Sequence, residues 1–159
     1  LKSPEYQNLQ AHHPGITLDL QLADDLFNIS GSSVHLAQTV MNLVSNAAEA
    51  LPDQGEVTIR TSNLYLDRPI EGYDAFQEGE YATLSVSDSG EGISKEDMER
   101  IFEPFYTSKS TGKGTGLGLS ISYGIVQDCG GRISARPNPP RGACFVLTFP
   151  VPGADEIKT

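Results

Sequence analysis

The residue types and spacings that suit chemistry fall into four clusters. The first is Asn42, Asn46 and Glu49, which lie within about 60° of one another on a helix turning about 100° per residue. His35 and Gln38 extend that stripe, and Val40, Val44, Ala47 and Leu51 take the opposite face. Two asparagines one turn apart are weak helix formers, and a solvent face more often carries Glu, Lys or Gln. A carboxamide oxygen is a good ligand for a hard cation. The pair suits a metal-assisted phosphate site, against the plainer reading of an amphipathic helix with its polar face in water.

The second cluster is Asp88-Ser-Gly-Glu-Gly92. A carboxylate at a strand end accepts hydrogen bonds, such as one from an exocyclic amine. Gly90 and Gly92 permit a tight turn and close approach to a flat ligand. Asp and Gly are also common in ordinary turns. The third cluster is Ile101-Phe-Glu-Pro-Phe-Tyr-Thr-Ser-Lys109, in which Phe102 and Phe105 flank Pro104. It reads as a hydrophobic anchor at a loop end, or as that anchor serving as the hinge of a lid. The fourth is Gly112-Lys-Gly-Thr-Gly-Leu-Gly118, leading into an apolar helix. Backbone amides at Gly114, Gly116 and Gly118 could converge on phosphate at the helix start. A polar loop precedes it, so it is not a dinucleotide fingerprint, and Gly114 follows Lys113, so it is not a P-loop. The plain alternative is a flexible hinge.

The elements that would position these clusters follow from periodicity. Residues 1–14 are polar, contain Pro4 and Pro14, and read as a loose lead-in. Ile16, Leu18, Leu20 and Leu22 alternate as a half-buried strand. Ser32 and Ser33 offer N-caps for a helix reaching about Leu51, and Pro52, Asp53 and Gly55 end it. Val57, Ile59 and Thr61 alternate again, and Ala82, Leu84 and Val86 form a strand that runs into Asp88. The acidic stretch 67–80 reads as a surface loop between them. Ser94 with Asp97 resembles a capping box for a short helix from Lys95 to about Ile101. Residues 103–116 form a long polar loop, of a length usually functional or mobile. The segment 106–115 has little to bury, so it is expected to order only when a ligand supplies contacts. A helix from Leu117 to Cys129 closes on Gly130 and Gly131. Strands follow near Arg132–Arg136 and Cys144–Phe149. The predicted class is α+β: a two-layer α/β sandwich whose mixed, mostly antiparallel sheet has about five strands, with three helices on one face.

The chain has 159 residues, 38% of them hydrophobic, and a formal charge of −10. This size fits one compact domain. The charge argues against nucleic acid as a partner, which needs a basic surface. It leaves room for an anionic ligand held by backbone amides. Cys129 and Cys144 lie outside any CxxC motif, which argues against zinc or a redox pair and favours two free thiols over a disulfide. No apolar run is long enough to span a bilayer, and no secretory signal is visible. The chain begins at Leu1, as a piece of a longer protein does. The expectation is a cytoplasmic domain without direct membrane contact, from a parent that can be membrane-bound.

The order Asn-x₃-Asn, Asp-x-Gly-x-Gly, Phe-x-Pro-Phe, Gly-x-Gly-x-Gly resembles the ATP-binding catalytic domain of sensor histidine kinases, a Bergerat-type fold. The resemblance runs from about residue 16 to residue 150. It implies a lead-in from an upstream dimerisation region over residues 1–15, the ATP-binding domain over 16–151 and a tail over 152–159. It further implies that Asn46 binds the Mg²⁺ that bridges the ATP phosphates, with Asn42 and Glu49 beside them. Asp88 would receive the adenine amino group, over a floor shaped by Gly90 and Gly92. Phe102 and Phe105 match an aromatic box, and Tyr106 to Thr115 a lid, from which Lys109 would contact phosphate. Gly114, Gly116 and Gly118 match the second glycine box. Ile93, Thr115 and Leu117, interleaved with these boxes, complete the implied ATP-contacting set.

One departure is Gly142-Ala143, where relatives carry Gly-Thr or Gly-Ser. Another is the acceptor histidine, which in this family sits on a helix before an acidic residue. His13 precedes Pro14, which disfavours helix there, and His12 and His35 fit no better. The resemblance therefore implies Mg-ATP binding and phosphoryl transfer to a histidine on a separate dimerisation domain of the same parent, with a response-regulator receiver domain downstream. The alternatives are an ATPase of the same fold or a non-catalytic nucleotide-binding module. ATPases of this fold carry a water-activating glutamate where Asn42 stands, and Asn42 cannot act as that base.

Overall fold

The computed structural model describes residues 4–67, 77–104, 106 and 118–153. Its elements, in chain order, are α1 (Pro4–His12), β1 (Ile16–Gln21), α2 (Ser33–Glu49), β2 (Gly55–Leu66), β3 (Gly79–Asp88), α3 (Lys95–Met98), α4 (Gly118–Asp128), β4 (Arg132–Pro137) and β5 (Ala143–Pro150). The strands form one five-stranded sheet in the order β1-β2-β3-β5-β4. β1 pairs parallel with β2, and the remaining pairs are antiparallel. A parallel pair needs a long crossover, and α2 supplies it. The expected mixed, mostly antiparallel sheet is what forms.

Alternation along the strands explains the layering. Val57 and Ile59 of β2, Val86 of β3 and Phe145, Leu147 and Phe149 of β5 are buried together under α2 and α4. Each such side chain contributes about 1.5–3 kcal/mol on leaving water. The opposite face of the sheet is polar. There Arg60 donates to Gln21 Oε1 through Nε at 2.9 Å and Nη2 at 2.6 Å, and the Ser62 and Thr83 hydroxyls meet at 2.7 Å.

α2 starts where the serines predicted. Ser32 is the N-cap, and its hydroxyl accepts from His35 N at 3.3 Å. Its buried face includes Val44 and Ala47, as expected, and also Thr39, Leu43 and Ala48. The wider face reflects two neighbours, the sheet on one side and α4 on the other. α4 ends in a paired hydrogen-bond cap: Gly131 N donates to Val126 O and Gly130 N to Gln127 O, both at 2.9 Å, with Gly130 at φ +72.

Some expectations need correction. Residues 4–12 are helical, not a loose lead-in. Pro4 is tolerated in the first turn of a helix, no breaker intervenes before Pro14, and Leu9 packs against the core. The helix after Ser94 is only Lys95–Met98, followed by turns. The helical layer is α2 and α4, with α1 against α2 and α3 as a single turn. Cys129 and Cys144 are free thiols, as expected.

Candidate functional site

Asp88 is the last residue of β3 and only 4% exposed. Its Oδ1 accepts from Gly90 N at 2.9 Å and from Ala143 N at 3.3 Å. Oδ2 takes part in neither bond, which suits a carboxylate that receives a donor from a ligand. Burial raises the Asp88 pKa above the ordinary carboxylate range, and the Gly90 and Ala143 amides pull against that rise. The loop after Asp88 packs on the end of α2. A Cβ at Gly90 would lie 2.6 Å from Ala50 O, so only glycine fits. Gly92 turns at φ +82. Ser89 ties the loop to β2 by accepting from Glu56 N at 3.0 Å, and Ile93 is half-buried against the core.

The turn joining β4 to β5 seats on the same loop. Asn138 Nδ2 donates to Asp88 O at 2.8 Å, and Arg141 Nε donates to Gly90 O at 2.9 Å. Gly142 sits at φ +115, and a Cβ there would stand 1.8 Å from Asp88 O. At the Gly142-Ala143 departure the backbone amide of Ala143 reaches Asp88, a contact that does not depend on the side chain at 143.

On α2, Asn42 and Asn46 are half-buried and Glu49 is exposed. The Asn42 carboxamide donates to Ser122 Oγ of α4 at 3.4 Å. Ser122 is fully buried. The polar stripe is therefore partly covered by α4 and does not simply face water. The end of this helix and the Asp88 loop are neighbours through Ala50 and Gly90, although about forty residues separate them in sequence.

The aromatic cluster is an anchor. Phe102 lies 5.5 Å from Tyr123 of α4 and 6.3 Å from Phe145 of β5, between ring centroids. The Tyr106 hydroxyl donates to Asp97 Oδ1, which raises the tyrosine pKa. The Arg100 guanidinium stands 4.4 Å over the Tyr106 ring. Phe105, Lys109, Gly114, Thr115, Gly116 and Leu117, and with them most of the expected lid, lie outside the described residues. Gly118 opens α4.

Sequence reasoning missed Asn138, Arg141 and Ser122. Asn138 and Arg141 flank prolines in a turn, where polar residues attract no notice. Ser122 carried the one signal that could have been read: a serine among Ile121, Tyr123, Ile125 and Val126 in the middle of a helix.

Residues 31–153 match the family described as histidine kinase-, DNA gyrase B-, and HSP90-like ATPase. The chain is 38% identical over 136 residues to sensor kinase CckA of Brucella abortus, covering 85% of this chain and 14% of that protein. It is 32% identical over 144 residues to sporulation kinase E of Bacillus subtilis, covering 91% and 18%. The chain thus spans well under a third of the curated relatives it matches. Among solved structures, the nucleotide-free catalytic domain of histidine kinase ThkA superposes with TM-score 0.69 at 27% identity, over 92% of this chain and 90% of that one. Full-length ShkA in complex with AMPPNP gives TM-score 0.66 at 25% identity, over 94% and 30%. The chain belongs to the histidine kinase-, DNA gyrase B- and HSP90-like ATPase family and is homologous to sensor histidine kinases.

Proposed function

We propose that this chain binds Mg²⁺–ATP and presents the γ-phosphoryl group to a histidine on a separate dimerisation domain of the same parent, upstream of a response-regulator receiver domain. The catalytic unit is residues 16–151, with 1–15 leading in and 152–159 as a tail. The observation that carries the reading is the juxtaposition of the buried Asp88 loop with the end of the asparagine helix, at Gly90 and Ala50. One end offers a carboxylate to an exocyclic amine, and the other offers carboxamides to phosphates and their cation.

Asp88 binds and orients adenine. Asn42 and Asn46 lie along the phosphates, with Glu49 at the outer edge of the stripe. The donor chemistry fits magnesium: this ion is commonly held by one or two protein oxygens, with phosphates and water completing its shell. The Asn46 carboxamide oxygen would hold it, and when bound it neutralises phosphate charge. Ile93, Phe105, Tyr106, Lys109, Gly114, Thr115, Gly116, Leu117 and Gly118 complete the proposed nucleotide contacts.

Phosphoryl transfer asks chiefly for positioning and charge stabilisation, which this residue set supplies. Asn42 favours transfer over hydrolysis, because a carboxamide cannot take a proton from water as a glutamate can. The test is phosphate transfer from labelled ATP to the parent's dimerisation domain supplied in trans. Acid-labile, base-stable label on that partner is the expected result. Brisk ATP hydrolysis by the chain alone, or label on His12, His13 or His35, would overturn the proposal.

A further inference from the structure

Within the Asp88 loop, three acceptors are satisfied by a single turn. The Asp88 carbonyl takes Asn138 Nδ2, the Gly90 carbonyl takes Arg141 Nε, and the Asp88 carboxylate takes the Ala143 amide. The turn is closed on itself by Asn138 N donating to Gly142 O at 3.0 Å. Its approach is so close that Gly142 leaves no room for a Cβ against Asp88 O. Two of these donors are side chains, and both reach backbone carbonyls rather than solvent. They bracket the loop, one at residue 88 and one at residue 90. Arg141 is exposed, so its guanidinium is not there to fill the core.

We infer that Asn138 and Arg141 are positioning residues that set the adenine selectivity of the site by fixing the Asp88 loop before nucleotide arrives. The inference rests on the nucleotide reading above and deepens it. A carboxylate discriminates an amine from a carbonyl on the base edge only if its direction is fixed. The carbonyls at 88 and 90 control that direction, because one adjoins the Asp88 Cα that bears the carboxylate and the other adjoins the Gly90 Cα next to the amide that the carboxylate accepts from. With the two donors in place, the loop's ordering cost is met on folding rather than on binding.

A competing role for Arg141 is electrostatic: its charge could attract the polyphosphate from a distance. Two substitutions separate the roles. In Arg141→Gln, the amide nitrogen stands at the same point along the side chain as arginine Nε and keeps an N–H donor without the charge. Arg141→Met keeps the stem and loses both. Asn138→Ala removes the other donor.

The experiment is calorimetric titration of the chain and these variants with ATP and with GTP. Asn138→Ala and Arg141→Met should each weaken ATP binding by about three- to tenfold, the size of one hydrogen bond, and change GTP binding by less than about twofold. Arg141→Gln should stay within about twofold of the unaltered chain for both. The readout is the ATP/GTP ratio, which a general loss of stability would not move. Equal losses for ATP and GTP, or an Arg141→Gln as weak as Arg141→Met, would overturn the inference, as would unchanged ATP affinity in Arg141→Met. If Asn138→Ala does not fold, the Met and Gln variants at the exposed position 141 decide alone. Absence of ATP binding by the unaltered chain would instead remove the nucleotide reading itself, before any variant is compared.

Discussion

Asp88 and Asn42 belong to opposite ends of the proposed nucleotide site, and they are held in different ways. Asp88 is 4% exposed, ends a strand in the sheet, and has its carboxylate and its carbonyl each fixed by donors at 2.8–3.3 Å. Asn42 is half-buried on a helix surface, and its carboxamide donates to a serine hydroxyl at 3.4 Å. The adenine end is built into the sheet and its turns before any ligand is present. The proposed phosphate end is a helix face, tied to α4 at Asn42. The difference separates recognition, which benefits from a rigid frame, from transfer, which must admit an acceptor and release a product.

The largest break in this comparison should come at the phosphate end. Asn46→Ala removes the carboxamide proposed to hold the cation, while leaving the Asp88 loop untouched. Transfer to the dimerisation domain in trans should fall by more than about a hundredfold, since a metal's charge stabilisation is worth several kcal/mol. Calorimetric ATP affinity without magnesium should hardly change. An equal loss of affinity with and without magnesium would mean that Asn46 shapes the pocket and does not hold the ion.

Asp88→Asn tests the other end. A hydrogen bond to a charged group is worth about 1.5–3 kcal/mol, and the amide keeps one acceptor, so ATP affinity should fall about tenfold with GTP little changed. Stability should move the opposite way. Burial holds the Asp88 pKa above its ordinary value, so the folded chain binds that proton more tightly than the unfolded chain does. Its ionised form therefore costs stability at neutral pH, and the cost disappears as pH falls through the acid range. The ligand-free variant should melt above the unaltered chain at pH 7, and the gap should close on acidification. Thermal melts from pH 8 to pH 4 would measure it, and a gap that widens toward low pH would show that burial is not the dominant influence on this carboxyl.

Most of the frame was legible before the structure. Alternation at Ile16–Leu20, Val57–Thr61 and Ala82–Val86 is enforced by a sheet with one wet face, so it marks the strands directly. Ser32 and Gly130 mark helix ends because capping is local chemistry. The α1 segment reads as a loop from sequence because its only signals, Pro4 and Pro14, stand near its two ends, and proline is common in loops. Asp88 and the asparagines were visible as types at spacings. What joins them was not. The bonds from Asn138 and Arg141 cross about fifty residues, and no local pattern encodes a turn's fit to a distant loop.

The smallest expected effect sharpens the comparison from inside the phosphate end. Ser122 is fully buried in α4, and its hydroxyl accepts from Asn42 Nδ2. A carboxamide has one oxygen and one NH₂ group, so tying the NH₂ to α4 directs the oxygen to the other side. The helix that follows the glycine-rich segment thereby sets the orientation of a proposed phosphate-side residue. At 3.4 Å the bond is at the weak end of the range, so its loss should be mild. Ser122→Ala should slow transfer in trans by about two- to threefold and raise the magnesium concentration needed for half-maximal rate, with stability changed by less than about 1 kcal/mol. ATP selectivity over GTP should not move, because the Asp88 loop is untouched. If Ser122→Ala lowers Tm while rate and magnesium dependence stay fixed, the contact is packing between helices alone. In that case Asn42 is less pre-set than its 3.4 Å hydrogen bond suggests, and its contrast with Asp88 grows.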